Sequence, residues 1–129
     1  MTVTQRAKQI VEDSIKKDNL PVNGVYCYFL PSYLVEDTTH TIILLTEVHD
    51  MPSDYGSNHS TTMTEQVALN IFYSEDSEVD ADQLEQKLIT AFEDHNYYVV
   101  YSPGRSVDPD TNQITKVFQF RKRISRTQI

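Results

Sequence analysis

The sequence has 129 residues, 39% of them hydrophobic, with a formal net charge of −8. That suits one small domain and is too short for two ordinary ones. No apolar run approaches the roughly 18 residues of a membrane span, and the start lacks a basic-then-apolar leader, so a cytoplasmic chain with no membrane contact is expected.

Residues 1–129 therefore read as a single domain with an ordered core over about 3–124. Ala7, Ile10, Val11 and Ile15, with Ser14 between, fall at the three-and-four spacing of one helical face. Thr2 or Thr4 is placed to cap that helix, Lys16 and Lys17 suit its last turn, and Asn19 and Pro21 close it. Val25 to Leu30 is rich in strand formers and stops at Pro31. The lone Cys27 lies in this stretch, which excludes an intrachain disulfide and predicts burial as a small hydrophobe. A second strand spans His40 to Val48.

Residues 49–62 read HDMPSDYGSNHSTT, small and polar with Pro52 and Gly56, and are taken as a polar loop. A loop of this length in a compact domain is frequently functional. Alternation resumes at Gln66 to Tyr73, with Val67, Leu69, Ile71 and Tyr73 on one side and Gln66, Ala68, Asn70 and Phe72 on the other. An acidic linker, Glu75 to Glu78, leads to a helix capped by Asp80, with Asp82 in its first turn and Leu84, Leu88, Ala91 and Phe92 as its stripe. Tyr97 to Ser102 and Ile114 to Ile124 form a hairpin joined through Pro103-Gly104 and Asp108 to Asn112. Ile114, Phe118, Phe120 and Ile124 share one face of the return strand, interrupted by Lys116 and Lys122. A short polar tail follows. The order α-β-β-β-α-β-β predicts an α+β fold: a mainly antiparallel sheet with both helices packed on one face.

Chemistry is hard to find. His49, Asp50, Asp54 and His59 lie within 11 residues and are metal-ligand types. They sit in a segment with few anchors, which favours an interaction loop (His49, Asp50, Asp54, Tyr55, His59) or a solvated hairpin end. Asn58-His59-Ser60 fits a glycosylation triplet without a secretion signal. Pro103-Gly104-Arg105-Ser106 reads as a tight turn before it reads as an anion cradle. No GxSxG, HExxH or GxGxxG motif occurs, so no catalytic residue, cofactor or metal is assigned.

Charge is unevenly spread. Residues 36–94 hold fourteen acids and one base, residues 95–129 six bases and two acids. An acidic middle disfavours wrapping nucleic acid. Beside the plain reading of a solvated surface stands head-to-tail association, with Arg121 and Arg123 of one copy near Asp80 and Asp82 of the next.

The N-terminal helix, the strand Thr41-Ile42-Ile43-Leu44-Leu45-Thr46-Glu47, the loop Asp50-Met51-Pro52-Ser53-Asp54-Tyr55-Gly56, the strand Val67 to Tyr73, and the closing helix and hairpin together resemble a family. It is that of the minor tail proteins of long, non-contractile-tailed phages of Gram-positive bacteria, and through it the tail-terminator fold. The resemblance covers nearly all of residues 1–124. It implies a hexameric ring that docks on the finished tail tube, stops subunit addition and offers a surface to the head–tail connector, at the head-proximal end of the tail in the virion. DNA would pass through without specific binding. A head-completion or stopper protein, or a small metal-dependent enzyme built on the 49–59 segment, are the alternatives.

Overall fold

The computed structural model describes residues 2–35, 38–56, 59–75 and 80–125, with the backbone alone described at 49–62 and 124–125. The acidic stretch beyond Glu75, Asn58 and the tail with Arg126 lie outside the described residues.

Helix α1 spans Val3–Asp18. Its start is a reciprocal capping box: Thr2 Oγ1 accepts from the Gln5 backbone N–H at 3.3 Å, and Gln5 Oε1 accepts from the Thr2 N–H at 2.8 Å. It ends at Asn19, whose φ of 50° is the left-handed cap that Asn tolerates. Helix α2 spans Ala81–Glu93, with the Asp80 carboxylate accepting from the Gln83 N–H at 3.1 Å.

The sheet has six strands: β1 Gly24–Cys27, β2 Ile42–Gly56, β3 His59–Phe72, β4 Tyr98–Tyr101, β5 Ser106–Val107 and β6 Ile114–Ser125. They lie in the order β1-β2-β3-β6-β4, with β5 also on β6. All pairs are antiparallel except β1 with β2, where Gly24 to Cys27 run alongside Ile42 to Leu45. The antiparallel expectation fails there because residues 28–41 carry the chain back to the end it came from, the crossover that a parallel neighbour requires.

Cross-strand partners share a face. Ile43 meets Ile71, Leu45 meets Leu69, which on its other side meets Phe118, and Val67 meets Phe120. This face is buried against Ala7, Ile10 and Val11 of α1 and Leu84, Leu88 and Phe92 of α2, in one continuous core. Phe92 stacks on Phe120 at 4.2 Å between centroids and meets Tyr97 edge-on at 5.6 Å. Both helices therefore cover a single face, and the domain is α+β as predicted.

Two similar polar clusters stitch the helix layer to the sheet. Glu65 of β3 is buried; it accepts from Tyr97 Oη at 3.2 Å and is ion-paired with Arg6 of α1. Glu85 of α2 is also buried; it accepts from Tyr73 Oη at 2.6 Å and from Arg105 Nε at 2.9 Å. Each buried carboxylate is thus satisfied by a phenol and a guanidinium, the condition for burying it without a large penalty. Burial, reinforced by the adjacent carboxylates, pushes both phenols up, Tyr97 to about 12.

Lys116 is the unexpected core resident. It is buried, donates to Ser102 Oγ at 2.9 Å and to the Pro103 carbonyl, and lies 4.7 Å from the centre of the Phe118 ring. It pins the bend after β4 instead of interrupting the apolar face. Cys27 is only half-buried, its thiol 3.5 Å from the Thr4 carbonyl, because β1 is an outer strand.

Phe92→Ala is expected to lower unfolding free energy by about 3–5 kcal/mol, read from the urea midpoint at unchanged slope. Tyr97 supplies a pH test. Its folded value exceeds the ordinary one near 10, so its contribution is complete below pH ~10 and is lost as pH rises toward ~12. Tyr97→Phe is expected to flatten the alkaline fall in stability over that window.

Candidate interaction surfaces

Residues 49–56 and 59–62, which fall in the segment expected as a loop, are strand. β2 continues to Gly56 and β3 begins at His59, with Asp50 opposite Glu65, Pro52 opposite Met63 and Tyr55 opposite Ser60. The polar composition has a positional cause. β1 stops opposite Leu45, so from residue 46 onward β2 is itself an edge, where proline and charge are tolerated and discourage stray pairing. An extra residue between Glu47 and His49 shifts the register at that point, and such a bulge bends a strand.

This register separates the candidate ligands. His49 pairs with Gln66, while His59 pairs with Gly56 at the far end. Their backbones are therefore about 23 Å apart along the strand. Two imidazoles so placed cannot both sit about 2 Å from one ion. Among the described residues no cluster of three or more His, Cys, Asp or Glu side chains could hold a metal.

The charge pairs assigned between copies have partners within the chain. Asp80 caps α2, Asp82 accepts from Arg105 at 2.7 Å, and Arg121 donates to Gln66 Oε1 at 3.0 Å. Arg123 lies opposite Thr64 in the β3–β6 ladder. Arg105 is committed to Glu85 and Asp82, whose hydrogen bonds push its pKa up, so the Pro103–Ser106 turn holds no spare cation for an anion. A groove between α1 and α2 is lined by Asp13, Lys17, Lys87, Asp94 and His95. Its charges alternate in sign and converge on nothing.

What remains is surface of another kind. Neither α1 nor α2 packs on the second face of the sheet. Its rows are Ile42, Phe72 and Thr115; Leu44, Asn70 and Val117; Thr46, Ala68 and Gln119; and Gln66 with Arg121. Of these positions only Arg121 is charged, and the next row pairs Thr64 with Arg123; Ile42, Gln66 and Ala68 are buried, and the others except Arg121 are half-buried. Gln66 donates to Gln119 at 2.6 Å and accepts from Arg121, so a side-chain chain orders the centre of this face. The long strands also outrun the helices. β2, β3 and β6 have 15, 14 and 12 residues, about 40–50 Å each, against about 24 Å for α1.

The sequence places strands at Val25 to Leu30 and Tyr97 to Ser102 but does not show that they form the two outer edges of the sheet. Tyr98, Val99, Val100 and Tyr101 of β4 are all exposed. At the other edge Phe29 is 78% and Tyr33 76% exposed. Tyr28, just before Phe29, has a φ of 71°, and the Phe29 N–H bonds back to the Cys27 carbonyl at 2.9 Å, a tight γ-turn in the strained left-handed region. The Tyr28 hydroxyl donates to Glu47 at 2.7 Å and secures it. The run Tyr97-Tyr98-Val99-Val100-Tyr101, apolar on both faces, is the sequence signal for a strand, but nothing local in it says which edge of the sheet it closes.

Adding zinc is expected to leave the melting temperature unchanged; a rise of several degrees at micromolar zinc would contradict the separation of His49 from His59.

A family model described as "Protein of unknown function (DUF806)" matches residues 3–125, nearly the whole chain. No curated protein matches the sequence.

Proposed function

The chain belongs to the DUF806 family, and we propose that its work is assembly and not catalysis. It is a structural ring protein, the tail terminator of a long-tailed phage, seated at the head-proximal end of the tail tube. The observation that carries this reading is the half-covered sheet. One face is a hydrophobic core under two helices; the other carries no charge from the Ile42 row to the Gln119 row, then presents Arg121 and Arg123 as it continues past the helix layer. An enzyme of this size would be expected to gather polar groups in a concave site. Here the buried carboxylates Glu65 and Glu85 are spent on stitching helices to sheet.

The resemblance of the element order and of the Asp50–Gly56 segment to tail-terminator proteins supports the same reading. In it, six copies close a ring. One rim meets the last layer of tube protein and blocks further addition, the other receives the head–tail connector, and DNA crosses the ring without a specific contact. The projecting ends of β2, β3 and β6 are the parts long enough to reach a neighbour along the tail axis.

The test is to add the purified chain to polymerising tail-tube protein and image the products by negative-stain electron microscopy. Shorter tubes, each bearing extra density at one end, are expected. Tubes of unchanged length with bare ends would overturn the terminator reading, and retention by portal-side proteins in their place would assign the chain to the connector.

A further inference from the structure

We propose that the two free edges of the sheet are the two halves of one self-association site, the β4 edge of one copy adding to the β1 edge of the next. This rests on the self-assembly reading above and names the surfaces that perform it. The occupant of each edge is therefore a second copy of this chain.

Strand direction is the first argument. β1 and β2 run together, β3 runs against them, β6 runs with β2, and β4 runs against β6. A neighbour related by rotation about an axis along the strands therefore brings its β4 antiparallel to β1, the geometry with the better hydrogen bonds. The lengths match at four residues each. Among the described residues, no backbone group of Gly24–Tyr26 or Tyr98–Tyr101 enters a backbone hydrogen bond outside the sheet's own ladders.

The second argument is a contrast inside the protein. Exposed edges ordinarily carry lysine, proline or inward charge to prevent pairing. The outer part of β2 does so, with Asp50, Pro52 and Asp54. Neither Gly24–Cys27 nor Tyr98–Tyr101 contains a charged residue or a proline, and the one irregularity is a register shift at Val100 between Val99 and Tyr101. The strained turn at Tyr28 instead holds Phe29 out into solvent at the β1 edge, and Tyr98 is 60% exposed at the β4 edge. Because the two edges differ, their union is head to tail. It repeats from copy to copy and closes into a ring with no free edge where the rotation allows.

The experiment uses two single variants of the full chain, Val100→Lys at the β4 edge and Phe29→Lys at the β1 edge, with solution mass measured by light scattering. Each variant alone is expected to lose the oligomer, with association weakened about thirtyfold or more, the effect of removing one central contact side chain. Mixed one to one, they are expected to form a dimer and stop, since each retains the edge its partner needs. Melting curves close to that of the parent chain establish that both fold. If V100K unfolds, Tyr98→Lys replaces it in the same mixing test. Variants that assemble like the parent overturn the edge proposal while leaving a ring by other surfaces standing. Two monomers that ignore each other on mixing overturn the head-to-tail pairing. A parent chain that stays monomeric at every concentration overturns this proposal together with the self-assembly reading beneath it.

Discussion

The alternation of Val67, Leu69, Ile71 and Tyr73 along β3 is the constraint from which the rest of the molecule follows. β3 is the central strand, paired with β2 on one side and β6 on the other, and its Glu65, Val67, Leu69 and Ile71 are all buried. A shift of one residue would turn all of them to the opposite face. The neighbours lock the register by supplying Ile43 and Leu45 from β2 and Phe118 and Phe120 from β6 at matching positions. α1 and α2 have their apolar stripes filled by this one surface. Where the apolar positions give out, at Glu65 and at Tyr73 with Glu85, the two carboxylate clusters close the core by hydrogen bonding.

The cost of this arrangement is asymmetry. Two helices of 16 and 13 residues cover one face of a sheet whose three long strands extend well beyond them. The second face, the strand ends and both outer strands are left to other molecules or to solvent. The composition separates these destinations. Surface meant for water carries charge, as on the outward side of the helices and along the outer part of β2. The body of the open face and the two short edge strands carry almost none. In a chain this acidic, the concentration of uncharged and aromatic surface there is what gives an assembly reading its physical content.

Much of this was legible beforehand. Period-three-and-four spacing located α1 and α2, and Thr2, Asn19 and Asp80 marked their ends by ordinary capping chemistry. The two faces of β3 and β6 were read correctly residue by residue, save that Lys116 looked like an interruption. A lysine's long stem can be buried while its ammonium finds Ser102 and the Pro103 carbonyl, and pattern alone does not reveal those partners. The 49–62 segment was misread because strand formation there depends on pairing with β3, not on local preference; a proline and several small residues are unexceptional once that part of β2 is known to be an edge. The parallel pairing of β1 was hidden for a related reason, since nothing local says which way a four-residue strand will run. The candidate ligands His49 and His59 were neighbours in sequence only, and the same hairpin that made them look clustered separates them.

The most direct test of the claim that this sheet is completed by other copies is the solution mass of the unmodified chain across concentration, in low salt and in about 1 M salt. Apolar edges joined by backbone hydrogen bonds should resist screening, whereas surface ion pairs should not. A species of defined, ring-sized mass that persists in high salt is the expected result. A monomer at every concentration, or an oligomer that dissolves on adding salt, would contradict it.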